Sequence, residues 1–115
     1  MPALIIDPDG TVREADLPEH GEFAALQEHT GHETPVPYAL TKRWLLWAPG
    51  LLTGPFPANP KAASLARRFG FEDGCTGKVV VTATAEHGEV INLTSDQVRV
   101  LRAMLGTGQA PPQTA

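Results

Sequence analysis

The stretch from Trp44 to Phe69 constrains the fold of this chain more than any other. It holds both tryptophans, two of the four phenylalanines and the densest run of prolines. Its first four residues, Trp44-Leu45-Leu46-Trp47, are apolar throughout. Successive strand residues point to opposite faces, so a strand here is central or covered on both sides, with Trp44 and Trp47 on opposite faces. Pro49-Gly50 predicts a turn, with residues 51–53 pairing back. Asn59-Pro60 predicts a helix start, because the Asn oxygen accepts an orphan amide and proline has no N–H to lose. Ala62, Leu65, Ala66 and Phe69 then share one helical face, Arg67 and Arg68 lie on the other, and Gly70 stops the helix.

The flanking segments supply the rest of a sheet. Residues 3–6 are a short apolar run ended by Asp7-Pro8-Asp9-Gly10, a turn sequence, and residues 11–15 return as a second strand. Phe23 and Leu26 stand at helical spacing in a short helix that ends near Gly31. In residues 33–40, Pro35 and Pro37 restrict any strand to a sheet edge, since proline cannot donate to a ladder. Residues 78–84, Lys-Val-Val-Val-Thr-Ala-Thr, are the most β-prone run and predict a central strand. Glu86-His87-Gly88 turns it into a partner over residues 89–93. Thr94-Ser95-Asp96-Gln97 is a capping box, and Val98, Leu101 and Leu105 face inward in the helix that it starts.

These pieces predict an α+β fold: a mostly antiparallel sheet of five or six strands, with two or three helices packed largely on one face. The expected core is Leu4, Ile6, Val12, Phe23, Leu26, Leu46, Leu65, Phe69, Val79, Val81, Ile91, Val98 and Leu101. A chain of 115 residues is one domain, drawn here as 2–105, with 106–115 expected to be a disordered polar tail. The net charge is −4 and the basic residues are scattered, which disfavours general nucleic-acid binding. Cys75 is the single cysteine, so no intrachain disulfide can form, and a structural thiol is the expected role. The N-terminus lacks the basic and apolar regions of a signal peptide, and no apolar run has the ~18 residues of a membrane span. A cytoplasmic protein, in a bacterial host cell, is the expectation.

The order "ALIIDPDGTVREADL", "ALQEHTG", "GPFPANPKAASLA", "GCTGKVVVTAT" and "LTSDQV" resembles an uncharacterised family of small domains. Its members occur in bacteriophages, plasmids and other mobile elements, mostly of Gram-positive bacteria. The resemblance spans most of residues 3–100 and departs at residues 30–40, where the family has a "GG-Y-I-E" strand and this chain has "TGHETPVPYAL". It implies an α+β fold and an accessory role in mobile-element biology, and no reaction. The leading expectation is therefore a non-enzymatic accessory protein that binds a host or phage protein, in counter-defence or host takeover.

Two other readings start from residues. A helix N-terminus at Asn59 presents amides to an anion. With Lys61, and Lys42 or Arg43 nearby, it would suit a nucleotide or another small anionic ligand. Trp47, Phe56, Asn59 and Lys61 are the candidate binding residues, converging on one proline-stiffened edge. His29 and His32, with His20, Glu28 and Glu33 close in sequence, are weak candidates for a metal-dependent enzyme. A glycine lies between the pair and no third ligand is set by spacing, so a solvated polar corner is the expected reading, with no cofactor. Asp7 and Asp9 read as turn residues rather than as an acid–base pair. Ser64, Ser95 and Cys75 lack a neighbouring base, so nucleophilic catalysis has no support in the sequence.

Overall fold

A computed structural model describes residues 2–18, 21–31, 35–49, 57–71, 76–85 and 89–107, without the side chains of 22, 23, 106 and 107. The strands are β1 (Ala3–Ile6), β2 (Val12–Ala15), β3 (Val36–Ala39), β4 (Trp44–Ala48), β5 (Val79–Thr84) and β6 (Val90–Ile91). The helices are α1 (Glu22–Thr30), α2 (Pro60–Arg68) and α3 (Ser95–Thr107). All strand pairs are antiparallel, in the order β2-β1-β5-β4-β3, with β6 also on β5. The α+β class and the central position of β5 match the reading of the sequence.

Local chemistry sets the joints. Pro8 and Asp9 fill the middle of the β1–β2 turn, which the Gly10 N–H closes on the Asp7 carbonyl at 2.9 Å. Gly10 adopts φ 94°, a left-handed conformation that glycine reaches without a Cβ clash. At α3 the Gln97 N–H donates to Thr94 Oγ1 at 3.1 Å, and the Thr94 N–H donates to Gln97 Oε1 at 2.8 Å. That is the reciprocal capping box which the four-residue spacing implies. β6 lies end to end with β1 along one side of β5, where the Leu93 N–H donates to the Pro2 carbonyl at 2.9 Å.

The sheet is covered on both faces. Leu4, Ile6, Leu46, Val79, Val81 and Ala83 pack with Ala62, Leu65 and Ala66 of α2 and with Val98, Leu101 and Leu105 of α3. The alternate residues Ala3, Ile5, Trp47 and Val80 pack with Leu17 and with Leu26 of α1. Two of the three helices thus share one face, and α1 closes the other.

Three of the expected core residues need correction. Ile91 is not core: it is 44% exposed, because the two-residue β6 stands at the end of the sheet. Val12 and Phe69 are only partly buried, at the margin of the α2–α3 side. β4 pairs with β3 on one side and β5 on the other; the expected return of residues 51–53 lies outside the described residues. α3 runs through Gly106 to Thr107, two residues past the expected boundary. The side chain of Phe23 and the tail from 108 onward also lie outside the described residues.

Candidate functional site

The first turn of α2 is the natural place to look, and its chemistry is largely turned inward. Asn59 is fully buried. Its Oδ1 accepts the Ala62 N–H at 3.1 Å, as an N-cap does. Its Nδ2 donates to the Ile6 carbonyl and to the Gly77 carbonyl, both at 2.8 Å. One side chain thus joins α2 to the end of β1 and to the approach of β5. Pro60 has no N–H, and the Ala63 N–H donates to the Asn59 carbonyl. The cap thus takes the Ala62 amide and the helix itself takes that of Ala63.

Lys61 is half-buried, and its Nζ donates to the Gly10 carbonyl at 2.8 Å. This ties the β1–β2 turn to α2. Between the two lies an open cleft of about 360 Å³, lined by Pro8, Asp9, Gly10, Lys61, Ser64 and Leu105 among others. Asp9 sits on the turn wall, where its Oδ1 accepts the Thr11 N–H at 2.8 Å. That hydrogen bond holds its carboxyl below the ordinary aspartate value. An anion entering the cleft meets the Lys61 ammonium and the Asp9 carboxylate together.

The other candidates lie apart from this turn. Trp47 is at the same end of the sheet but on its α1 face, 8% exposed, and its Nε1–H donates to Thr82 Oγ1 at 3.0 Å. Trp44 is on the α2–α3 face, edge-on to Phe69 with centroids 6.1 Å apart. Lys42 and Arg43 lie at the far end of β5, where the Thr84 N–H donates to the Arg43 carbonyl at 2.7 Å. They cannot assist Lys61. His29 is half-buried in the last turn of α1. His32, His20, Glu33, Phe56 and Cys75 lie outside the described residues. Among the described residues no three His, Cys, Asp or Glu side chains gather in a metal-like group.

A second surface escaped the sequence reading. Ile91 separates two shallow hollows at the end of the sheet. One, of about 340 Å³, is lined by Lys42, Arg43, Thr84 and Ala85. The other, of about 540 Å³, is lined by Asp16, Leu17, Asn92 and Thr94. Period-two alternation places Ile91 on the core face, which is why it reads as core; only the length of β6 and the coverage of the sheet leave it exposed.

Among the described residues no helix is long and apolar enough to cross a membrane. No family model, curated protein or solved structure matches the chain.

Proposed function

We propose that this protein is a non-enzymatic accessory protein of a phage or mobile element that works by binding a host or phage protein. The observation that carries the reading is Ile91: a large apolar side chain, 44% exposed, between two hollows and beside the exposed Lys42 and Arg43. An apolar residue that seats in a partner, rimmed by charge, is the pattern of an interface centre. Lys42 and Arg43 favour an acidic rim on that partner. Counter-defence and host takeover are the roles that the sequence resemblance suggests for such an interaction.

The test is affinity capture from a host lysate with the wild-type chain, Ile91→Asp, and Lys42→Glu with Arg43→Glu. The expected result is one enriched protein, lost at least tenfold with either surface variant and retained with Lys61→Glu. Failure to enrich any protein, or equal capture by every variant, refutes the reading.

A second reading, a small anionic ligand in the cleft beside Lys61, is supported by the concavity there. The Asp9 carboxylate on the opposite wall weakens it. Titration of labelled protein with inorganic phosphate and with a nucleotide separates the two readings. Shifts confined to Gly10, Lys61 and Ser64 support a ligand, and their absence removes it.

A further inference from the structure

We propose that the outer edge of β2 is a self-association edge, where a second copy of this chain adds its own β2 antiparallel, about a two-fold axis at Glu14.

The direction of each main-chain group follows from the register. Asp7 N–H donates to the Thr11 carbonyl at 2.9 Å, so that facing pair is hydrogen-bonded. Alternation along the Ala3↔Ala15 to Ile6↔Val12 ladder then makes Ile5↔Arg13 hydrogen-bonded, and Leu4↔Glu14 and Ile6↔Val12 not. The N–H and C=O groups of Val12 and Glu14 therefore point away from β1. Among the described residues no strand covers that side.

The opposite edge of the sheet is closed. The Leu40 N–H donates to the Trp44 carbonyl at 3.0 Å, which fixes the phase of β3 and puts Pro37↔Trp47 at a non-hydrogen-bonded pair. Pro37 thus stands where an outward N–H would be, so the ladder to β4 loses nothing and the outer edge loses a donor. Pro35, two residues earlier, keeps the same phase. Prolines and exposed charges are the usual guards of a sheet edge. β2 has no proline, and both its charges are ion-paired with residues outside the strand. Arg13 pairs with Asp7 at 2.8 Å, and Glu14 pairs with Arg102 of α3 at 2.7 Å.

Glu14 selects a second copy as the occupant. A two-fold axis at this residue makes Glu14 face Glu14 of the second copy, Arg13 face Ala15, and Val12 face Asp16, a self-complementary register. The like-charge contact at the centre is offset by Arg102. Its Nε and Nη2 both donate to Glu14 Oε2, at 3.0 and 2.7 Å, which leaves Glu14 Oε1 and Arg102 Nη1 without a partner among the described residues. Across the axis each Nη1 takes Oε1 of the other copy, closing a ring of two acids and two guanidinium groups. Two main-chain hydrogen bonds between the facing Glu14 residues complete the centre.

So short a pairing belongs among weak, reversible interfaces, so sedimentation velocity is run from about 10 μM to about 1 mM. The expected mass average climbs from 12.3 kDa toward twice that value. Glu14→Pro removes only an outward donor from the backbone, as Pro37 does in β3, and is expected to stay monomeric with the wild-type circular dichroism. Arg102→Glu, with four acids at the axis, is expected to abolish the dimer. Adding Glu14→Arg to Arg102→Glu swaps the ring and is expected to restore it. A wild-type chain that stays monomeric at the top concentration overturns the proposal, as does a dimer undiminished in Glu14→Pro. Should Glu14→Pro fail to fold, the outcome rests on the charge pair: an undiminished dimer in Arg102→Glu, or no recovery in the swap, overturns it.

Discussion

The side-chain amide of Asn59 donates a 2.8 Å hydrogen bond to the main-chain carbonyl of Ile6, 53 positions earlier in the chain. The same nitrogen reaches Gly77, and the side-chain oxygen caps α2. A residue that reads locally as a helix cap is thus the joint between the first strand, the central strand and the helix on the sheet.

Asn59→Ala therefore costs more than a cap. The lost cap and two unmet buried carbonyl contacts predict a destabilisation of about 2–4 kcal/mol in urea unfolding. Asn59→Asp keeps the capping oxygen but sets a carboxylate against two carbonyls, and is expected to lose at least as much. A loss below about 1 kcal/mol in both variants would mean that Asn59 only caps.

Asn92 makes a comparable joint at the other end of the sheet. Its side chain accepts the Leu17 N–H at 2.9 Å and donates to the Leu17 carbonyl at 3.1 Å, as a neighbouring strand residue would. Asn92→Ala is expected to destabilise by about 1–2 kcal/mol. Faster hydrogen exchange at the Leu17 amide checks that the loss is local.

The two tryptophans should respond differently to the same change. Trp44 Nε1 is buried with no hydrogen-bond partner among the described residues, whereas Trp47 Nε1 donates to Thr82. Trp44→Phe deletes an unmet donor together with some packing, and is expected to fall within about 1 kcal/mol of wild type. Trp47→Phe also strands the Thr82 hydroxyl and is expected to cost about 1–3 kcal/mol more than the change at Trp44, measured by urea midpoint at constant slope.

Asp9 gives an acid dependence with a defined sign. The Thr11 amide holds its carboxyl below the unfolded value. Its contribution is present above the ordinary aspartate range and lost as pH falls through the folded pKa. The urea midpoint of Asp9→Asn is expected to fall less steeply than that of wild type on acidification below that range. Parallel pH profiles for the two proteins would show that the turn does not sense the carboxyl charge.

Lys61 is a tie as well as a surface charge, since its ammonium holds the Gly10 carbonyl. Lys61→Glu loses that bond and brings a second carboxylate toward Asp9. A destabilisation of about 0.5–1.5 kcal/mol is expected. Full wild-type stability in thermal unfolding would refute the tie.

Much of this protein is decided by short-range chemistry, and that part is legible in its sequence. The turn at Pro8 to Gly10, the cap at Asn59, the box from Thr94 to Gln97 and the β-rich run from Val79 each act over a few residues. Steric and hydrogen-bonding preferences at that scale do not wait for the rest of the chain. Period-two alternation likewise separates Trp44 from Trp47. Coverage is another matter. Ala3, Ile5 and Val80 lie in the core because α1 packs on the second face of the sheet; the unbroken apolar runs of β1 and β5 call for cover on both faces, but not for this helix as the cover. Ile91 has the alternation of a core residue and is exposed because a two-residue strand ends the sheet there. The reach of Asn59 to Ile6 and Gly77, the separation of Lys42 and Arg43 from Lys61, and the closure of one sheet edge by Pro37 depend on strand order and register. Those are set by which apolar faces meet across dozens of residues, a property of the packed chain rather than of any segment in it.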